Sequence, residues 1–567
     1  MKRKEGQVSR RRKGVLLLSK CLLTLCLLLA SISPLFTTVS AAGNTFQFNG
    51  KSYQRSKDVP AIYIEGASNV NREYYVSCTV VAVDAIGGTF SEVADQNATI
   101  RIRGNSTSSG EKKPYNIKFS SKINLFGMGK GKRYCLIANL YDPTLIRNQA
   151  VFDFARGMGL KYTPDSMLVD VYFNGRYAGC YQLCEAITEG SGRVDVDLDK
   201  GEFLLERDVR QDAGRTYVKS SMGFEFGITS PDTPTTAQRR EILDKINQAE
   251  KALLSGDYEK VKTAFDIPTF VDNYICNELF KNVDVATLST RFYYKDGKMC
   301  AGPVWDFDLS SGNCDSDYYT SYNNYYGDSA QGIWSDCIWF KRLLQYKQFR
   351  DAVYDRYLEL QDLIVNLYQD NILGQNYIDR AIQSASTSIS RNFSEAGWNV
   401  GRKYSTYMRI PESTYEANVE YLRAWLQRRN DWLLSHWGLA DRAVLTPKDS
   451  SLTVQDDYVT GFTPHTAVIR LFNMFTTSVR CYSDGAYLAT GDRINGGGRT
   501  YIAVIYGDLD CDGEVTVIDY LMLRQVVNGA RETSREVYLA GCMGEEKPSK
   551  SCYDRIRRYC LEGTPLQ

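Results

Sequence analysis

An α+β chain of several domains is predicted by three observations. Strand-like alternation dominates from Asn44 to about Asp208, helical periodicity dominates from Thr235 to about Trp437, and the composition shifts near 442–450. With 567 residues the chain exceeds one typical core, and its 43% hydrophobic and 12% aromatic content is that of folded material. The expected division is an export segment over 1–41, a large domain over 43–441, a small all-β module over 451–506 and an α-helical calcium-loop tail over 507–567.

The first segment reads as a signal peptide. Lys2, Arg3, Lys4, Arg10, Arg11, Arg12 and Lys13 precede an apolar run from Val15 to Phe36, and Thr38-Val39-Ser40-Ala41-Ala42 offers small residues for cleavage. No other stretch approaches a membrane span, so the remainder is expected to be secreted, extracellular or at the cell surface, with no membrane contact after cleavage. Eight basic residues and one acidic residue leave with the segment, taking the net charge from +1 to −6, which recommends no nucleic-acid partner.

In the large domain, 98–103 alternates as a strand, 104–110 is a polar glycine-bounded turn and 115–119 resumes as strand. Strand, polar loop and strand with an internal lysine is a layout that covers phosphates and presents a cation, here Lys118, to them. Residues 147–159 predict a helix, 167–173 and 177–183 predict strands around an Asn174-Gly175 turn, and Glu185 follows directly. The stretch FVDNYICNELFKNVDVATLSTRFYYKDGKMCAGPVWDFDLSSGN, Phe270 to Asn313, gathers three carboxylates. Val271, Tyr274, Ile275, Glu278 and Leu279 recur at helical spacing, and Asp284 sits just past the helix end. Strands at 291–294 and 299–305, joined by an Asp296-Gly297 turn, then deliver Asp306 and Asp308. One carboxylate orienting a hydroxyl and another holding Mg²⁺ on a phosphate is the chemistry such a hairpin permits.

Histidine narrows the field. Only His436 and His465 exist, so a Ser-His-Asp triad or a Cys-His pair has a single histidine, His436, to draw on in the large domain, and such sites, like a multi-histidine metal site, are nearly excluded there. Fifteen cysteines lose Cys21 and Cys26 with the signal; most of the rest are expected as buried thiols, with one bridge among Cys542, Cys552 and Cys560 still open. A polar loop over 315–332 carries Tyr318, Tyr319, Tyr322, Tyr325 and Tyr326, suited to a protein or sugar surface. Helices are expected over 237–254, within 340–390 and over 415–437.

The succession RGNS, KKPYNIKF, ANLYDPTLIRNQAVFDFARGMGL, VYFNGRYAGCYQLCEAI, KNVD and PVWDFDLSSGN resembles the CotH-type spore-coat protein kinase family over about residues 50 to 440. The resemblance implies an atypical kinase-like domain using ATP and Mg²⁺ to phosphorylate serine on protein partners. Lys118 would be the phosphate-binding lysine and Asp284 the catalytic carboxylate. Asp306 would hold Mg²⁺ with Asp308 and Asn313 nearby, Arg103, Asn105 and Ser106 would border the nucleotide, and Glu185 would either orient the lysine or border the nucleotide. Where ordinary protein kinases carry a second-metal Asn, five residues after the catalytic Asp, this chain has Ser289.

In the small module, LTVQ, AVIRLF, SVRCYS and YIAVIY are expected strands. Beyond it, Asp508, Asp510, Asp512, the Glu514 carbonyl, Thr516 and Asp519 occupy loop positions 1, 3, 5, 7, 9 and 12 with Gly513 at 6, a calcium-type spacing followed by a helix at 520–528. That loop and helix resemble a type I dockerin, which implies Ca²⁺ and a cohesin partner on a cellulosome scaffold. The second repeat, 541–563, keeps a helix at 553–562 but lacks the ligand carboxylates. Two classes remain open: a secreted, dockerin-tethered kinase, or a non-catalytic component recognising protein or plant cell-wall polysaccharide. A glycoside hydrolase has no supporting pattern beyond the dockerin-like tail.

Overall fold

The computed structural model describes residues 43–211, 214–319, 325–371, 374–440, 445–448, 450–476, 479–483, 485–497 and 499–566. The expected export segment, Tyr322 and part of the 442–450 shift lie outside them. After a small hairpin of β1 (Thr45–Phe48) and β2 (Lys51–Gln54), seven strands close into a barrel. These are β3 (Ala61–Glu65), β4 (Val76–Val83), β5 (Val93–Ile102), β6 (Tyr115–Asn124), β7 (Lys130–Ile137), β8 (Ser166–Phe173) and β9 (Arg176–Glu185). The order is β3-β4-β5-β6-β7-β9-β8, and β8 pairs parallel with β3, which leaves no sheet edge open. Alternation explains the closure: Ile62, Ile64, Val80, Ala82, Ile100, Ile117, Phe119 and Leu136 are buried in one core while their neighbours face outward.

A second sheet, ordered β11-β12-β10-β13-β14, stands beside the barrel. It comprises β10 (Phe203–Arg207), β11 (Tyr217–Lys219), β12 (Glu225–Ser230), β13 (Arg291–Lys295) and β14 (Lys298–Ala301). Asp296 and Gly297 both have positive φ, 51° and 82°, the backbone a two-residue hairpin needs. The second strand of this hairpin stops at Ala301 instead of running to Trp305, because Pro303 has no N–H to give the ladder.

Helices dominate the remainder of the large domain: Thr236–Leu253, Tyr258–Ala264, Ile267–Leu279, Lys347–Glu359, Ser386–Ser394 and Tyr415–His436 are the longer ones. Fully buried Glu278 ties three of these parts together. It pairs with Arg429 of the last helix and accepts from the backbone N–H groups of Trp334 (2.8 Å) and Ser335 (2.6 Å). Breaking such a buried pair from one side costs about 3–5 kcal/mol. Lys281, one turn on, donates to the carbonyls of Tyr326, Ser329 and Gln331 at 2.7, 2.8 and 2.7 Å, which pins the tyrosine-rich loop beside the end of the Ile267–Leu279 helix.

Separate apolar clusters lie within 445–505 and 509–566. The first surrounds the sheet β15-β16-β19-β18-β17, built from Thr453–Gln455, Tyr458–Phe462, Val479–Tyr482, Arg493–Gly496 and Arg499–Ile505 in chain order. This module is not all-β as expected. AVIRLF folds as a 3₁₀ turn, Val468–Arg470, running into a short helix, Leu471–Met474, because helical spacing places Leu471 and Phe475 in the module core. The tail carries helices Val517–Val527, Arg535–Cys542 and Lys550–Glu562. All thirteen cysteines among the described residues are free thiols, so Cys542, Cys552 and Cys560 form no bridge. Among the described residues no helix is long and apolar enough to cross a membrane.

Candidate functional site

The outward face of the barrel meets the β13–β14 sheet across a cleft of about 900 Å³. On the barrel side, register places Arg101, Asn116, Cys135 and Cys184 on one rung across β5, β6, β7 and β9. The next rung outward carries Thr99, Lys118 and Arg133. Lys118 is exposed on that outer rung and does not line the cleft, although its rung neighbour Arg133 does, so the expected phosphate-binding lysine stands outside the cleft. Arginines stand where it was expected: Arg101 and Arg103 from the barrel and Arg291 from β13. The alternation in ATIRIR, which buries Ile100 and turns both arginines to one face, was the available signal for them.

Trp305, buried, lies between two of these cations, with the Arg103 guanidinium 4.9 Å and that of Arg291 5.8 Å from its ring. Glu206 holds Arg291 at 3.0 Å and Arg215 at 2.6 Å; burial raises its carboxyl, but the arginines outweigh burial and keep it below the ordinary range. The Nε atoms of Arg101 and Arg291 are buried without a partner. An unsatisfied buried donor costs about 1–3 kcal/mol, a cost that an anion in the cleft would remove.

Opposite this wall stand the carboxylates. Asp284, half-buried beyond the helix, is turned inward by Asn282, whose side-chain oxygen accepts from the Asp284 N–H at 3.1 Å. Burial, and then Asp306, push Asp284 up to about 6, against the Tyr319 hydroxyl, which donates to it at 3.2 Å, and Arg210. Tyr319 was legible in the sequence only as one of five loop tyrosines; its contact with Asp284 is new. Asp306 sits at φ 68°, a left-handed conformation that costs a non-glycine residue about 1–2 kcal/mol, and accepts from the Ser289 hydroxyl at 2.8 Å. Asp308 is buried, and burial followed by repulsion from Asp306, Asp284 and Asp142 raises it well above the ordinary carboxylate range.

The segment around these residues is pinned from the barrel side. Asn148 accepts the Phe307 N–H at 2.6 Å, and the Asn313 amide donates to the carbonyls of Asp308 (2.6 Å) and Tyr141 (2.8 Å). The side-chain oxygen of Asn313 is buried and unpartnered. Asp306 and Asp308 line the cleft, and their carboxylates are oxygen ligands of the kind Mg²⁺ takes.

The expected nucleotide border is divided. Arg103, Asn105 and Ser106 line the cleft, and Gly104 (φ 87°) makes their turn, where a Cβ would lie 2.2 Å from the Thr107 hydroxyl. Glu185 does not reach the cleft. It pairs with Arg193 and accepts from the Asp165 N–H at 3.0 Å in a neighbouring cavity of about 400 Å³, where burial pushes it up to about 7.

A CotH kinase protein family model matches residues 100–433, more than half of the chain. The chain belongs to the CotH kinase family. No curated protein matches it. In this CotH-family chain the matched span holds the arginines and carboxylates of the cleft described above, while Arg72, Glu73 and Tyr75, which also line it, precede the span.

The tail carries a second carboxylate cluster, outside the CotH match. Ligand atoms of Asp508, Asp510 and Asp519 lie within 4.8 Å of one another, the single group of that kind among the described residues. The carboxylates of Asp284, Asp306 and Asp308 are spread more widely. Asp519 accepts from the N–H groups of Leu509 (2.7 Å), Asp510 (3.2 Å) and Thr516 (2.8 Å), while one oxygen of Asp510 is buried without a partner. Burial first, and then neighbouring aspartates, push Asp508 and Asp510 up to about 6. Two of the loop's remaining expected ligands are tied to this group: the Thr516 hydroxyl donates to Asp519 at 3.3 Å, and the Asp512 N–H donates to Asp508 at 3.1 Å. Asp512 and Glu514 are exposed, with Asp512 accepting from the Glu514 N–H at 2.8 Å, and the Thr516 hydroxyl caps the following helix at Ile518 (3.1 Å). Gly513 makes the turn at φ 83°.

Proposed function

We propose that this CotH-family chain is a protein kinase that transfers the γ-phosphate of ATP to protein hydroxyl groups, serine foremost, and that it works outside the cell. The observation that carries this reading is the opposition, across one cleft, of Asp284, Asp306 and Asp308 to Arg101, Arg103 and Arg291. Arginine forks suit phosphate oxygens, and two of these carry donors awaiting a partner. Asp284, with a pKa of about 6, is ionised at neutral pH and accepts the proton of an acceptor hydroxyl presented beside it. Asp306 and Asp308 would hold Mg²⁺, which when bound neutralises charge on the phosphates. The arginines and the strained Asp306 turn supply the positioning on which phosphoryl transfer chiefly depends.

The tail is proposed to be a dockerin-like tether. Asp508, Asp510 and Asp519 would hold Ca²⁺, and Val517, Ile518 and Leu521, 63%, 53% and 50% exposed, form an apolar patch on the helix that the loop starts, which suits a cohesin-type protein partner. A non-catalytic scaffold is the second reading. It draws on Ser289, whose hydroxyl is committed to Asp306 where a second metal ligand would stand.

The test compares the full chain with Asp284→Asn for Mg²⁺-dependent transfer of γ-phosphate to dephosphorylated casein. Transfer is expected to fall by about 10²–10⁴-fold with nucleotide binding retained. A wild-type chain that binds no ATP at millimolar concentration with Mg²⁺ would move the assignment to the scaffold reading.

A further inference from the structure

We infer that Cys135 and Cys184 are an oxidisable dithiol in the cleft wall, a modification site that closes to a disulfide with a hydroperoxide and thereby alters how strongly the cleft holds anions. The two residues are register partners on adjacent antiparallel strands, so their side chains leave the sheet on the same face. Cys135 lines the cleft, and Cys184 is fully buried beside it. Directly opposed Cβ atoms lie about 4.5–5.5 Å apart and a disulfide needs about 3.5–4.5 Å, so closure asks the strands to draw together by about an ångström.

The surroundings make one sulfur the nucleophile and the other the resolving thiol. The Cys184 thiol donating to it, and the guanidinium groups of Arg103, Arg291 and Arg101, outweigh burial and hold the Cys135 thiol below its ordinary range, while burial and Cys135 raise Cys184. The side-chain oxygen of Asn116, on the same rung, accepts from the Cys135 S–H at 3.3 Å and so orients the sulfur before it ionises. The Cys135 thiolate attacks one peroxide oxygen, the O–O bond breaks, and the departing oxygen takes a proton and leaves as water from hydrogen peroxide, or as the alcohol from an organic hydroperoxide. The resulting sulfenic acid is attacked by Cys184 sulfur, which gives up its proton; the S–S bond forms and hydroxide departs as water. Two electrons pass from the thiols to the hydroperoxide.

Closure removes a negative charge from among the three arginines that face the cleft. With that competitor gone, a phosphate-type anion is held more tightly, by about tenfold for one unit charge at this range. This effect is independent of whether phosphate is transferred.

The full chain is treated with hydrogen peroxide, digested without reduction and mapped by mass, and pyrophosphate binding is titrated before oxidation, after it, and after dithiothreitol. The expected result is a link between the Cys135 peptide and the peptide carrying Cys180 and Cys184, assigned by fragmentation to Cys184, together with a reversible tightening that Cys184→Ala abolishes. Cys135 advancing to sulfinic acid unlinked, a link to Cys180, or an affinity equal in both redox states, zero included, would overturn it. If Cys184→Ala fails to fold, the wild-type redox cycle alone decides.

Discussion

The cleft of the large domain and the loop of the tail both collect carboxylates, by opposite means. In the tail, Asp508, Asp510 and Asp519 are close in the chain, and one glycine turn with a capping box is enough to gather them. In the cleft, Asp284 and Asp306 are separated by a whole hairpin, and the cations facing them come from β5 and β13. The tail gathers like charges that form no ion pair among the described residues, so its field asks for a cation. The cleft sets carboxylates against guanidinium groups, so its field can accept a cation on one wall and an anion on the other.

The largest expected effects separate the two regions. Asp306→Ala should reduce phosphate transfer by about a thousandfold or more while leaving Ca²⁺-dependent amide protection of the Val517–Val527 helix unchanged. Asp519→Ala should abolish that protection and leave transfer within about twofold, since distant sites act independently. Without calcium the tail should also respond to pH. Asp508 and Asp510 have folded values of about 6, above the unfolded carboxylate value, so their contribution to stability is full below about pH 4 and is lost as pH rises through 6. Hydrogen exchange in the helix should then be faster at pH 7 than extrapolation from pH 4.5 allows, and Ca²⁺ should reverse this. If either variant disturbs both readouts, the two regions are coupled and the comparison fails.

An intermediate effect tests which cation serves the cleft. Arg101→Gln should weaken pyrophosphate binding by about tenfold, whereas Lys118→Gln should change it by less than about twofold. The reverse ranking, read by calorimetry, would return the phosphate-binding role to the lysine.

That substitution of arginine for lysine shows where sequence reasoning stops. Period-two alternation correctly sets Asn116 and Lys118 on one outward face, but how far along the strand a cleft extends depends on the neighbouring sheet, which alternation does not encode. Glu185 was likewise legible as a strand-end carboxylate, while its partner Arg193 arrives through a turn that leaves no periodic signal. The β13–β14 hairpin and the helix over 415–436 were legible because an Asp-Gly pair and a long 3.6-residue period are local properties. AVIRLF failed for the same reason in reverse: six residues are too few to separate the two periods, and burial of Leu471 and Phe475 decided the outcome.

The smallest effect concerns Tyr319, which no periodicity could single out. Its hydroxyl donates to Asp284 and so favours the ionised carboxylate, against the burial and the Asp306 charge that push the group up. Tyr319→Phe removes the donor without removing the ring, so Asp284 should ionise at a higher pH. The acid limb of the transfer rate should then move upward from about 6 by about half to one pH unit, with the plateau changed by less than about threefold. A limb that stays in place with a much lower plateau would assign Tyr319 to the acceptor substrate instead of to the base. The cleft would then differ from the tail in a further respect, since one of its carboxylates would depend on the bound protein for its final setting.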